Sequence, residues 1–103
     1  MKYVVSWTYR WNGSAAENEA SIQRALQVFG SWKPAAGVTY HQMVGRLDGT
    51  GGFAVVETDN PMDLLDAPEK FGMVAEYQIH PVAELAEVAQ AFQEGATFRE
   101  SIG

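Results

Sequence analysis

The chain has 103 residues, room for one domain built on one hydrophobic core. Hydrophobic residues make up 47% and charged residues 19%, the balance of a folded globular chain rather than a disordered one. Seven basic residues against thirteen acidic ones leave a net charge of -6, which argues against a nucleic-acid partner, and the lack of cysteine excludes disulfides, thiolate catalysis and sulfur-ligated zinc.

The opening run MKYVVSWTYRW has no long apolar stretch leading to a small-residue cleavage site. No window approaches the roughly 20 apolar residues of a membrane span. A cytoplasmic location without a membrane partner is the expectation. Residues 2–9 carry β-branched and aromatic side chains on both parities: Tyr3, Val5, Trp7 and Tyr9 on one, Val4, Ser6 and Thr8 on the other. This pattern predicts a central strand covered on both faces. Asn12-Gly13 breaks it, and Ser14 with Glu17 three residues later forms a capping box.

From Ala15 to about Phe29, apolar Ile22, Ala25, Leu26 and Phe29 recur at helical spacing among polar neighbours, predicting an amphipathic helix with one buried stripe. Gly30 reads as its C-terminal cap, and Trp32 to Pro34 as the following loop. Residues 38–47 and 53–58 read as two strands joined by the glycine-rich hairpin DGTGG at 48–52. Asn60-Pro61 supplies a cap and a first-turn proline for a short second helix, disturbed in its later half by Pro68. Residues 73–80 alternate as a strand, with Met73, Ala75, Tyr77 and Ile79 on the apolar side. After Pro81, Val82, Leu85, Ala86, Ala89 and Phe92 predict a last helix, and residues 95–103 a flexible C-terminal tail.

The order β-α-β-β-α-β with an extra C-terminal helix is the ferredoxin-like pattern, an α+β fold with an antiparallel sheet, here a single domain over residues 1–94. Helices cover only one face of such a sheet. The apolar content of strands one and three on both parities favours a cover for the other face. A second copy of the chain is the simplest one, giving a homodimer in the form of a dimeric α/β barrel.

Three motifs carry a family resemblance: VVSWTY at the start, the hairpin GRLDGTGGFAVVET, and YQIHPV before the last helix. In this order and spacing they resemble the small bacterial proteins grouped as domain of unknown function 3303, over residues 2–92. The resemblance implies the dimeric α/β-barrel group, which includes cofactor-free monooxygenases, haem-degrading enzymes, isomerases and ligand-sensing modules; fold alone does not choose among these. The chain departs from the family pattern at LLDAPEKFGM, which has Pro68 and Gly72 and no tryptophan in the second helix.

In a sheet ordered 4-1-3-2 with strands one and three expected parallel and central, Trp7 and Tyr9 would end beside Glu57. The beginnings of the other two strands, with Tyr40, His41, Glu76 and Tyr77, would then reach that same end. Such a mixture suits a mostly apolar pocket holding few oriented polar groups. Trp7, Tyr9, Tyr40 and Tyr77 are the candidate ligand-binding residues, with Trp11 at the rim. His41 is the candidate general base or donor, and Glu57 its orienting partner or a carboxyl with a pKa raised by burial.

Each has a plainer reading. Trp7 and Tyr9 suit core or dimer packing equally well. His41 and His80 suit half-exposed strand positions, with His80 at the far end. Glu57 could face a helix start or pair with Arg10, and Glu76 could be solvated or paired across a dimer. No metal is expected, since His41, His80 and a carboxylate lack ligand spacing, and no cofactor is expected. The glycines of 48–52 lack GK[ST] and GxGxxG, and GxSxG is absent. The sequence thus predicts a homodimer binding a small, mostly apolar organic ligand, with cofactor-independent monooxygenase or isomerase chemistry as one version. A non-catalytic dimeric interaction or ligand-sensing module is the alternative.

Overall fold

In the computed structural model, which describes residues 1–103, eight elements follow the chain order. They are β1 (Lys2–Tyr9), α1 (Ala15–Ser31), β2 (Thr39–Gly45), β3 (Gly51–Glu57), a 3-10 turn (Pro61–Leu65) running into α2 (Asp66–Phe71), β4 (Ala75–Val82) and α3 (Leu85–Ser101). The strands form one antiparallel sheet in the order β2-β3-β1-β4. Four antiparallel strands and three helices make an α+β fold compatible with the ferredoxin-like pattern.

One expectation is corrected by the register. β1 and β3 are antiparallel, not parallel: Lys2 faces Glu57 and Thr8 faces Gly51. The crossover through α1 returns β2 in the direction of β1, and the hairpin reverses β3 between them, so β3 opposes both. Glu57 therefore lies at the start of β1, at the other end from Trp7 and Tyr9.

Capping follows the sequence at two helix starts. Glu17 N–H donates to Ser14 Oγ at 3.2 Å and Ser14 N–H donates to Glu17 Oε1 at 3.2 Å, closing the capping box on α1. Met62 N–H donates to Asn60 Oδ1 at 3.2 Å, with Pro61 in the first turn. The C-terminus of α1 differs from expectation. The helix runs through Gly30 to Ser31, and extended Trp32 closes it with its N–H on the Phe29 carbonyl. Pro34 supplies the stop, because the residue before a proline is excluded from helical backbone. β4 extends past the expected end to Val82, since it is an edge strand, where Pro81 is tolerated.

β2 carries a bulge between Tyr40 and Gln42, which gives the strand one extra residue, His41. Without it Tyr40 and Gln42 would share a face. With it Tyr40 pairs with Val56 and Met43 with Ala54, while Gln42 and Val44 turn to the other side opposite Val55 and Phe53. The sheet thus has a helix-side face, holding Tyr3, Val5, Trp7, Ala54, Val56, Tyr77 and Ile79, and an open face. The open face holds Lys2, Val4, Ser6 and Thr8 of β1, Phe53, Val55 and Glu57 of β3, and His80 and Val82 of β4.

Only 10 of the 103 residues are buried, and the core is accordingly small. Tyr3, Val5, Ala54, Val56 and Leu64 form it at the start of β1, where the 3-10 turn covers the sheet. Complete burial of one such aliphatic side chain contributes about 1.5 to 3 kcal/mol, so few positions hold much of the stability. α1 has no buried residue, and its expected buried stripe is half open, with Leu26 60% and Phe29 54% exposed. The stripe borders a cavity instead of packing on strands.

α3 is a further departure. It is helical to Ser101, so residues 95–101 are not an irregular tail, and none of its residues is buried. Phe92 is 73% exposed, and the molecule reaches 65 Å along its longest axis against 30 and 20 Å on the others. Lys2 Nζ donates to Glu84 at 2.5 Å at the base of this helix. No helix is long and apolar enough to cross a membrane.

Candidate ligand cavity

Between the helix-side face and helices α1 and α2 lies a cavity of about 380 Å³. Of its 18 lining residues 17 are hydrophobic, and the remaining one is Gly49. It forms because the side chains of β1 at its C-terminal end are rings rather than aliphatics. Trp7 sits opposite Tyr77 with ring centroids 6.3 Å apart, and Tyr9 stacks on Trp11 at 5.1 Å and 23°. Trp7 Nε1 donates to the Tyr9 hydroxyl at 3.4 Å. Rings of this size hold α1 away from the sheet.

The other wall is built around Trp32. Its indole meets Tyr40 and Phe71 edge to face, at 87° and 86°, the preferred geometry for such pairs. Its Nε1 donates to Asp66 Oδ2 at 2.9 Å, and Lys70 Nζ donates to Asp66 Oδ1 at 2.6 Å. The Lys70 hydrogen bond, joined by that of Trp32, holds the Asp66 carboxyl below the usual aspartate range. The loop tryptophan is thereby fixed to the start of α2 as part of the cavity wall.

Four of the six residues singled out from sequence meet here: Trp7, Tyr9, Tyr40 and Tyr77 all line the cavity. Trp11 lines it too, stacked on Tyr9. His41 and Glu57 do not. They lie on the open face, where His41 Nε2 donates to Glu57 Oε1 at 2.7 Å with the two side chains 41% and 46% exposed. This corrects the expectation that they would be the polar groups of the pocket. Antiparallel pairing carries Glu57 to the start of β1, the bulge lets His41 reach it, and the sheet stands between the pair and the cavity.

The His41 hydrogen bond holds the Glu57 carboxyl below its ordinary range, opposite to the raised pKa that burial would give. Arg10 bonds elsewhere, to the Gly72 carbonyl at 3.1 Å and to Glu76 at 3.5 Å. His80 sits on the open face opposite Val4. No three His, Asp or Glu side chains are grouped so as to hold a metal ion.

The sequence reading missed Trp32, Phe71 and Met43 as lining residues. Met43 had a signal: Tyr40 and Met43, the large side chains of β2 on the cavity side, are three apart, a spacing that a strand can place on one face only through a bulge. Trp32 had none, because its position depends on where α1 stops. Burial pushes the Tyr77 phenol up to about 12, with Tyr40 and Tyr9 adding to the effect, and burial raises Tyr40 as well.

The structure is thus that of a small α+β protein with an aromatic-walled cavity between its sheet and its helices. The sequence matches the family described as Domain of unknown function (DUF3303) over residues 1–96, and the chain belongs to that family. Comparison with curated proteins gives no match.

Proposed function

We propose that this protein is a homodimer, of the dimeric α/β-barrel type, that binds a small, mostly apolar organic molecule in the cavity between sheet and helices. The cavity carries the proposal: about 380 Å³ is within the range of small-molecule sites, and its wall is almost wholly hydrophobic. A chain with so few buried residues would gain stability from filling it. Binding, or sensing, is favoured over turnover, because no carboxylate, imidazole or amine is among the lining side chains. General-base chemistry needs an unprotonated group within about 3 Å of the reacting atom, and burial keeps the Tyr40 and Tyr77 phenols of the wall protonated. Monooxygenase or isomerase chemistry would have to proceed without it.

The open face supports the dimer. Phe53 and Val44 are exposed there beside Val4, Val55 and Val82, so face-to-face pairing of two sheets would cover apolar surface. The test of binding uses the chain's own fluorophores. All three tryptophans, Trp7, Trp11 and Trp32, line the cavity. A bound apolar aromatic probe should quench or shift most of the intrinsic emission with saturable dependence on concentration. Emission that responds to no such probe would remove the proposal.

A further inference from the structure

Resting on the cavity-binding reading above, we propose that the ligand is a neutral, flat aromatic molecule carrying an oxygen acceptor, which the hydroxyls of Tyr40 and Tyr77 grip. Three observations converge on this class. The first is the arrangement of the rings. The Tyr9–Trp11 pair is nearly parallel at 23° and the Trp7–Tyr77 pair is inclined at 31°, whereas Trp32 stands edge-on to Tyr40 at 87°. Eight of the 18 lining residues are aromatic, in both near-parallel and edge-on pairs, so a planar ring system entering the cavity meets π-systems with which it can stack or pack edge to face, contacts that an alkyl chain does not exploit.

The second observation concerns hydrogen bonds. The Tyr9 hydroxyl accepts from Trp7, but neither the Tyr40 nor the Tyr77 hydroxyl has a partner within the chain. Both side chains are half-buried and line the cavity, and no polar side-chain atom is sealed away unpaired, so these two hydroxyls remain accessible. A phenol in this setting stays protonated through neutral pH and offers an O–H to a carbonyl or ether oxygen.

The third observation excludes charge. No cationic side chain lines the cavity, and the carboxylate nearest its Trp32 wall, Asp66, is already bonded to Trp32 and Lys70. A carboxylate ligand would enter an apolar site with no counter-charge, an uncompensated desolvation. A quaternary ammonium would meet aromatic side chains but no carboxylate among the lining residues, so its charge too would be desolvated without a counter-charge.

The test is a calorimetric titration of the full chain with matched probes: 2-acetonaphthone, its near-isosteric anion 2-naphthoate, the acceptor-free 2-ethylnaphthalene, the cation N-methylquinolinium and the aliphatic undecan-2-one. Acetonaphthone should bind at least about tenfold more tightly than the anion, the cation or the aliphatic ketone. The double variant Tyr40→Phe, Tyr77→Phe should weaken acetonaphthone by about 3- to 10-fold and leave ethylnaphthalene unchanged, which also shows that the variant retains its cavity. Naphthoate, quinolinium or undecanone binding as tightly as acetonaphthone would overturn the ligand class while leaving the cavity a binding site. Equal affinity of variant and wild type for acetonaphthone would overturn the role of the two hydroxyls. Failure of every probe to bind would overturn the cavity-binding reading and this proposal with it.

Discussion

Trp7 lies directly across from Gly52 in the β1–β3 ladder, and its indole occupies the space that a side chain at position 52 would fill. A Cβ on Gly52 would overlap the six-membered ring of Trp7 and come within 2.5 Å of the Val44 carbonyl oxygen. The glycine is therefore required by the ring and the neighbouring backbone, and the cavity depends on it. Gly52→Ala should displace the indole and destabilise the fold by about 1 to 3 kcal/mol, read as a lower midpoint in thermal or urea unfolding. An unchanged midpoint with unchanged tryptophan emission would contradict this packing.

Tyr77 gives an alkaline signature. Its phenol ionises near 12 in the folded chain against about 10 in an unfolded one. Below pH 10 both states are protonated and nothing is lost. Between about 10 and 12 the unfolded state alone releases the proton, so stability falls across that window. Ultraviolet titration of tyrosinate should show late ionisation, the latest part of which Tyr77→Phe removes while the raised Tyr40 remains. Four phenols titrating together near pH 10 would refute it.

Asp66 behaves in the opposite sense. Its carboxyl is depressed, so its contribution is complete above about pH 4, the unfolded value, and declines as the pH falls through the folded value. Asp66→Ala leaves the half-buried Trp32 Nε1 without its acceptor and should cost about 1 to 2 kcal/mol. Asp66→Asn keeps an acceptor for the indole and should recover part of that loss. Equal stability of the two variants in chemical denaturation would show that the indole hydrogen bond contributes nothing.

His41 and Glu57, separated from the cavity by the sheet, should not influence what binds there. His41→Ala and Glu57→Gln are expected to leave the affinity for an apolar aromatic probe within about twofold of wild type, on the rule that distant sites act independently. A tenfold change in either would place the pair back in the binding machinery.

The proposed dimer makes its own demand on the open face. Phe53, 40% exposed beneath the Arg46 guanidinium, which is 4.9 Å from its ring centroid, would be central to sheet-on-sheet packing. Phe53→Glu should convert a species of twice the 11.3 kDa chain mass into one of 11.3 kDa by light scattering. A wild-type mass of 11.3 kDa would remove the dimer.

Much of the architecture was readable from local pattern. A run of β-branched and aromatic residues marked β1, alternation marked β4, the Ser14 and Asn60 caps marked two helix starts, and the glycine-rich hairpin separated β2 from β3. Features that depend on long-range geometry were not readable. That β3 runs against β1 follows from the crossover, which returns β2 along β1, and from the hairpin, which reverses β3 between them; reading the two as parallel moved Glu57 to the wrong end of the sheet. The bulge at His41 is one residue in length, and its only trace in the sequence is the three-residue spacing of Tyr40 and Met43. Gly51 and Gly52 read as turn residues but belong to β3, where Trp7 needs the space; Gly49 alone in the hairpin takes a positive φ, at 75°. The aromatic residues of β1 and β4 were found because a cavity wall and a core share the same periodicity; the wall from α1 was mistaken for buried packing for the same reason, while Trp32 read as a loop residue.

The exposed α3 also bears on how the molecule moves through solvent. Its radius of gyration is 18.5 Å, against roughly 13 Å for a globule of this length. Drag follows shape as well as mass, so a single chain would leave a sizing column early, at the position of a much heavier sphere. Elution volume would thus imitate self-association, and shortening the chain before Leu85 would delay elution by more than the mass removed.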